Sequence, residues 1–274
     1  MIQAEIREEK ERKAGGSQPK TLSGKKPKFE CEKCKDSEWI WTGWEAARPC
    51  ECQARKKHER RIRAAMIPDE FQDARLDTYV METPLQIEMF NCIAHYIEHF
   101  DEIQDTPQNS LGFIAKYGEQ RLRRDTGRKR DSSQYNSFGL GKTHLQVGAA
   151  RELIDRGHPV LIVSDVVLMD ELAQARAADD GSTEFNRLLN QVIQAKVLVW
   201  DDIGKSNPSE FKRSMYFQII NERYKARRPI IFSSNEDTST LAERIGEGAR
   251  SRLMGMAKNY LLETAGPDYR AIGA

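Results

Sequence analysis

Two short stretches restrict this chain more than any others. Phe138-Gly139-Leu140-Gly141-Lys142-Thr143 is followed by Val197-Leu198-Val199-Trp200-Asp201-Asp202, whose first carboxylate lies 59 residues after Lys142. Glycines ahead of a lysine let backbone N–H groups turn inward around a phosphate. The ammonium then reaches the outer phosphates, and the following hydroxyl sits on Mg²⁺. An apolar run ending in two carboxylates is a buried parallel strand delivering acid at its carboxyl end, where α/β sheets bind ligands. A glycine-rich turn before Lys-Thr is compatible with any tight strand–helix junction. Paired with the acidic strand, it predicts nucleotide binding.

The rest of the pattern agrees. From Ser110 onward strands at 111–115, 160–163, 197–201, 230–233 and 259–263 alternate with helices at 142–156, near 165–176 and 184–194, at 209–226 and at 239–254. Such alternation predicts an α/β core with a mostly parallel sheet covered by helices on both faces. Residues 84–104 have helical spacing, with Leu85, Ile87, Phe90, Ile93, Ile97 and Phe100 on one face. The expected organisation is a tail at 1–28, a cysteine module with a basic helix at 29–64, a connector and helix at 65–108, and the core at 109–274. The tail is charged and almost without bulky apolar groups, so disorder is expected there.

Net charge is only +1, which confines any nucleic-acid surface to a local patch. No apolar run approaches the ~20 residues that span a bilayer, and the first 28 residues lack a signal-peptide core. A cytoplasmic chain with no membrane contact is expected, and in that reducing setting cysteines serve as thiolate ligands rather than disulfides. Cys31-x-x-Cys34 and Cys50-x-Cys52 are two close pairs separated by 15 residues, able to converge on one Zn²⁺. Cys92, among apolar helical neighbours, reads as a small buried hydrophobe. The zinc module would display Trp39, Trp41 and Trp44 beside Arg55, Lys56, Lys57, Arg60, Arg61 and Arg63. These residues suit stacking on single-stranded bases, docking on a protein, or simple packing of a small module with a solvated helix.

In the acidic motif, Asp201 would hold Mg²⁺ and Asp202 would orient or deprotonate the attacking water. Many relatives of this design carry Glu at the second position; the shorter Asp predicts slow hydrolysis. Pro229-Ile230-Ile231-Phe232-Ser233-Ser234-Asn235 is another apolar strand ending in polar groups, which brings Ser234 and Asn235 toward the γ-phosphate or its water. Arg244, Arg250 and Arg252 fall on a predicted helix, and Arg270 follows Pro267-Asp268-Tyr269. A guanidinium spreads charge over phosphate oxygens.

The order of these features is specific. Cys-x-x-Cys, Cys-x-Cys, a basic helix, Ile67-Pro68-Asp69-Glu70-Phe71 to Leu76-Asp77-Thr78-Tyr79, then SFGLGKTHL, WDDIG, FSSN, ARSRL and DYR resembles the DnaC/DnaI-type replicative helicase loaders across residues 29–274. These are P-loop AAA+ ATPases, common in phages and prophages and related to IstB-type transposition helpers. The resemblance implies an Mg²⁺-dependent ATPase that loads a DnaB-type ring helicase, contacts single-stranded DNA through the ATPase domain, and self-assembles with ATP. It assigns Asn235 to sensor 1, Arg252 to the trans-acting arginine finger with Arg250 as rival, and Arg270 to sensor 2. A transposition helper and a non-hydrolysing zinc-module adaptor with a degenerate P-loop are the alternatives.

One departure stands out. The phosphate-loop pattern wants glycine five residues before Gly141, where the chain has Asn136. Joining Gly118 to Ser137 would restore Gly-Ser-Phe-Gly-Leu-Gly-Lys-Thr, so residues 119–136 read as an insertion inside the loop. This segment holds six basic and three acidic groups, net +3, and is expected to bulge from the sheet as a mobile loop that weakens ATP binding. Two other readings stay open: the segment is absent from the functional protein, or it contacts DNA or phosphate.

Overall fold

The computed structural model describes residues 29–43, 46–124, 135–178 and 181–268. The expected disordered tail, Trp44, most of the 119–136 segment, and Arg270 lie outside the described residues. The chain divides into two compact units after Arg55.

The smaller unit holds an antiparallel hairpin, β1 (Trp39–Trp41) and β2 (Ala47–Pro49), with Ile40 opposite Arg48. Its turns use left-handed backbone at Lys35, Asp36 and Glu38. The Asp36 carboxylate accepts the N–H groups of Glu30 (3.1 Å) and Cys31 (3.0 Å), closing the loop that carries the first cysteine pair. Trp39 and Trp41 are exposed, so they do not pack this unit.

Helix α1 (Cys52–Ala64) has no buried residue, and most of it belongs to the larger unit. Two helices follow. Thr83 caps α2 (Pro84–Glu98) in a reciprocal box with Gln86, with Pro84 at the first position. A break at His99 separates α3 (Phe100–Ile103), so the predicted helix 84–104 is two pieces. Its apolar face is also rotated: Ile87 is exposed, whereas Met89 and Tyr96 are fully buried.

The core elements are β3 (Leu111–Ala115), α4 (Glu119–Arg124), α5 (Lys142–Asp155), β4 (Val160–Ser164), α6 (Asp165–Ala177), α7 (Gly181–Gln194), β5 (Val197–Asp201), α8 (Glu210–Lys225), β6 (Ile230–Ser233), α9 (Thr238–Ile245), α10 (Glu247–Met256) and β7 (Leu261–Thr264). Gly246, at φ 91°, splits the predicted helix 239–254 into α9 and α10. The five strands run parallel in the order β4-β5-β6-β3-β7. Side-chain alternation sorts the strands onto two cores. Phe113, Ile162, Val199 and Ile231 pack with α2 and α5. Ile114, Leu161, Leu198, Trp200 and Phe232 pack with α6, α7, α8 and α10.

The connector belongs to the core and is not a spacer. Ala65, Ile67, Ala74 and Tyr79 join the α2–α5 core, because a run with apolar groups at these positions covers sheet surface that α2 and α5 leave open. The compact boundary accordingly falls after Arg55 and not near residue 64.

Candidate functional site

Strand β3 sits between β6 and β7, so the ends of β3, β5 and β6 share one rim of the sheet. Gly139 (φ 64°) and Gly141 (φ 83°) turn the chain there through left-handed backbone, and Gly141 is the N-cap of α5. Neither position has room for a side chain. A Cβ on Gly141 would stand 2.7 Å from the Tyr79 ring, and one on Gly139 would stand 1.7 Å from the Asp268 carboxylate. A cavity of about 460 Å³ opens at this turn, lined by Ser137 to His144, Asp202 and Asn235. The unpaired N–H groups at the start of α5 favour a phosphate within it.

The polar groups converge as motif spacing predicts. Lys142 is buried, and its ammonium donates to Asn235 Oδ1 (2.6 Å), Ser137 O (3.0 Å) and Ser234 O (3.3 Å). Burial pulls its pKa down to about 8, against the opposing pull of Asp202 and Asp201. The Thr143 hydroxyl donates to the Asp201 carboxylate at 3.1 Å, and Ser233 Oγ donates to the same carboxylate at 2.7 Å. Burial, reinforced by neighbouring Asp202, pushes the Asp201 carboxyl above its ordinary range. Thr143 lines the cavity, whereas Asp201 does not and stands half-buried behind that hydroxyl; together they are hard oxygen donors of the kind that suit Mg²⁺.

Asp202 takes left-handed backbone at φ 53°, a conformation that costs a non-glycine residue about 1–2 kcal/mol. Two contacts hold it there. Its N–H donates to Ser233 Oγ (2.9 Å), and its Oδ1 accepts Asn235 Nδ2 (2.8 Å). Asn235 therefore bridges the lysine and the second carboxylate.

Several site residues were not legible in the motifs. Glu70 and Phe71 from the connector line the cavity, and Tyr79 OH donates to Leu140 O (3.1 Å). The signal was present in the aromatic positions of the Ile67–Tyr79 segment. Asp165, fully buried at the start of α6, accepts Trp200 Nε1 (3.0 Å), Ser206 N (2.8 Å) and Tyr216 OH (2.7 Å). It ties the loop after Asp202 to the sheet; burial raises its pKa. Lys205 from that loop lies 5.0 Å from the Phe138 ring centroid and pairs with Glu119 (3.1 Å).

Gly118 requires a correction. It does not line the phosphate cavity. Its N–H donates to the Asp237 carboxylate at 2.9 Å, and a Cβ there would meet Thr240 at 2.1 Å, so its small size serves packing against the N-terminus of α9. The segment after it also departs from expectation, because residues 119–124 form helix α4. Arg121 pairs with Asp237 (2.9 Å), Arg124 with Glu243 (2.6 Å), and Glu119 N donates to Asn235 O (2.9 Å). The buried N-cap carboxylate Asp237 and the exposed Glu243 of α9 gave these arginines partners that sequence spacing could not disclose. At the far end, Tyr135 packs edge-on against Tyr117 with centroids 4.7 Å apart, which brings both ends of the segment together.

Neither Arg250 nor Arg252 lines the phosphate cavity of its own chain. Arg252 on α10 donates to Gly248 O (2.9 Å) and lies over the Phe217 ring at 5.0 Å; Arg250 pairs with Glu247.

In the smaller unit the four sulfurs of Cys31, Cys34, Cys50 and Cys52 lie within 4.8 Å of one another. A tetrahedral Zn²⁺ with bonds of ~2.3 Å sets sulfurs about 3.8 Å apart. The Cys31–Cys50 and Cys34–Cys52 separations are 3.7 and 3.4 Å, so the donor set fits zinc. Two of the thiols shift oppositely: the Cys34 N–H lowers Cys31 to about 6, whereas burial pushes Cys52 up. Cys92 stands apart on α2, its thiol pushed up to about 11 by burial.

Comparison with known proteins fits this geometry. Residues 135–247 match the family described as IstB-like ATP-binding protein. The chain carries an IstB-like ATP-binding domain. Over 253 residues it is 25% identical to the phage-like element PBSX protein XkdC of Bacillus subtilis (strain 168), covering 88% of this chain and 85% of that one. It is 29% identical over 115 residues to the replicative helicase loader DnaC of Escherichia coli (strain K12), covering 42% of this chain and about half, 46%, of that protein. A solved DnaC helicase loader superposes with a TM-score of 0.56 at 22% identity, covering 72% of this chain and all of that one. The IstB-like domain thus has the AAA+ fold, with its parallel five-stranded sheet. Among the described residues no helix is long and apolar enough to cross a membrane.

Proposed function

We propose that the chain is an ATP-dependent loader that delivers a DnaB-type ring helicase onto single-stranded DNA in the cytoplasm, using slow ATP hydrolysis as its switch. The observation that carries this reading is the 29% identity over 115 residues to a DnaC helicase loader, together with a phosphate cavity lined by Lys142, Thr143, Asp202 and Asn235. As phosphates enter, the Lys142 ammonium exchanges Asn235 and the Ser137 carbonyl for phosphate oxygens. Thr143 and Asp201 would hold Mg²⁺, which would offset phosphate charge. Asp202, fixed by Asn235, accepts the proton of the attacking water. Asn235 touches both Lys142 and Asp202, so loss of the γ-phosphate changes the lysine and the base together. Arg252 serves a neighbouring copy's nucleotide, with Arg250 as rival, and Arg270 acts as sensor 2. Zinc held by the four cysteines fixes the shape of the smaller unit, which presents exposed Trp39 and Trp41 to the helicase.

Capture of the purified host ring helicase, with and without ATP, tests the reading. Nucleotide-dependent capture is expected from the wild type and not from Lys142→Ala. Arg252→Ala is expected to bind ATP and lose only assembly-stimulated turnover. No capture in any nucleotide state refutes the loader. The IstB-like match favours a second reading, a transposition helper. The cysteine unit weighs against it, and co-purification with a transposase in place of the helicase would establish it. A non-hydrolysing adaptor would bind helicase equally well with Lys142→Ala.

A further inference from the structure

A second basic cavity lies behind the phosphate loop, at the other end of α5. It has a volume of about 370 Å³ and is lined by His58, Glu59 and Arg63 of α1, Arg75 of the connector, and Arg151 and Asp155 of α5. Arg151 follows Lys142 by nine helical residues, which places it about 13 Å along the helix axis from the nucleotide site. Arg151 as a residue is 7% exposed, and its guanidinium donates through one terminal nitrogen to Gln72 O. Its Nε is buried and, among the described residues, lacks a hydrogen-bond partner. A buried donor left unpaired on a cation is costly unless something outside the chain satisfies it.

The charges around Arg151 are mixed, with Arg75 repelling it and Asp155 and Asp73 attracting it. Arg75 is close enough that, after burial itself, it is the main influence lowering the Arg151 pKa. Two guanidiniums facing one space repel each other until an anion lies between them. Of the two lining carboxylates, Asp155 is engaged by His58 at 3.5 Å. Exposed Arg63 adds a third cation at the mouth. Guanidiniums match phosphate oxygens in pairs, which a single ammonium cannot do. Residues 56–64 of α1 carry Lys56, Lys57, Arg60 and Arg61 beyond those in the cavity, with no buried side chain among them. A basic helix leading to a guanidinium pocket suits a repeating anion.

We propose that Arg63, Arg75 and Arg151 form a phosphodiester pocket that anchors one phosphate of a nucleic-acid backbone. The pocket rests on the nucleic-acid contact proposed above and deepens it by naming where the backbone is held. Its distance from Lys142 makes it separate from the nucleotide phosphates.

Fluorescence anisotropy of a labelled oligothymidylate with the full chain, across a salt series, tests it. Each phosphate contact contributes about 0.7 to the slope of log affinity against log salt for a single strand. Arg75→Ala and Arg63→Ala, both exposed side chains, are each expected to weaken binding several-fold and reduce that slope by about 0.7. Affinity for a fluorescent ATP analogue should stay unchanged in both. Arg151→Lys keeps the charge, loses the fork, and should weaken binding with the slope retained. Unchanged affinity and slope in both alanine variants overturns the pocket while leaving the wider nucleic-acid reading intact. No oligonucleotide binding by the wild type refutes that wider reading. Inorganic phosphate is the second probe. Saturable binding to the wild type and not to Arg75→Ala, with oligonucleotide affinity unaltered, would make this a free-phosphate site and overturn the backbone assignment.

Discussion

The lysine at the centre of the phosphate cavity sets a pH dependence that its burial makes calculable. Lys142 titrates at about 8 in the empty site, against an ordinary value of 10.5. Bound phosphates favour the charged ammonium, so the bound lysine stays protonated well above that point. ATP must then be met by the protonated fraction of the empty protein. Between about pH 7.5 and about pH 9.5, where the terminal phosphate is fully ionised, that fraction falls about 25-fold, equivalent to about 1.9 kcal/mol of binding free energy. The same shift acts on stability with the opposite sign. The unfolded chain binds more protons between pH 8 and 10.5, so the empty fold gains stability as pH rises through that window. Below it, the depressed lysine costs about 3 kcal/mol. Titration calorimetry at constant ionic strength measures the first effect. Denaturant midpoints of wild type minus Lys142→Met isolate the second from other titrating groups. ATP affinity should fall with alkali while the empty protein, relative to Lys142→Met, becomes more stable. A flat wild-type affinity over this range, or an alkaline loss that persists in Lys142→Met, refutes the argument.

Three further outcomes follow from the geometry. Metal analysis of chain purified without chelator should find one zinc per chain, and substituting Cys31, Cys34, Cys50 or Cys52 should abolish it while ATP binding persists; Cys92→Ser should leave zinc content unchanged. Asp202→Asn should bind ATP and lose turnover by about 10²–10⁴-fold in a phosphate-release assay, because an amide accepts no proton; near-normal turnover would remove Asp202 from the role of base. Deleting Glu119 to Asn136 removes α4 with its contacts to Asp237, Glu243 and Asn235, and should weaken ATP binding several-fold in a fluorescent-nucleotide titration. A deletion variant that folds and binds ATP more tightly would show that the segment burdens the site as an inserted loop.

Where one physical rule dominated a segment, the sequence announced the structure. Val197–Asp201 is buried on both faces, reads as an unbroken apolar run, and appears as β5 with the predicted bounds. Gly139 and Gly141 were legible because their positions forbid side chains. The reading weakened where two rules competed. Residues 259–263 looked like a strand, yet β7 is Leu261–Thr264, because pairing with β3 sets its register. Ile87 satisfied the helical spacing and still faces outward, since the buried face of α2 is chosen by its contacts with the sheet. Buried polar groups were the least legible. Nothing local marks Asp165 or Arg223 as interior. Arg223 is fully buried because its guanidinium closes the carbonyls of Val192 (2.8 Å), Ala195 (2.9 Å) and Pro229 (2.7 Å), partners known only after folding.

The position of β3 between β6 and β7 has a consequence for how the protein is made. Leu111–Ala115 leaves the ribosome long before either neighbour, because Ile230–Ser233 and Leu261–Thr264 are encoded 115 or more residues later. At translation rates of about 5–20 residues per second, this wholly apolar strand waits about 6–30 s without a hydrogen-bonding partner. For that interval the nascent chain offers an unpaired, sticky edge to other nascent chains and to chaperones. Nucleotide cannot rescue it, since Asn235 and Ser234, which steady Lys142, are also still unmade. ATP can first be captured only after Asn235 has emerged, so a product truncated before that residue is an aggregation hazard rather than a partial nucleotide-binding protein.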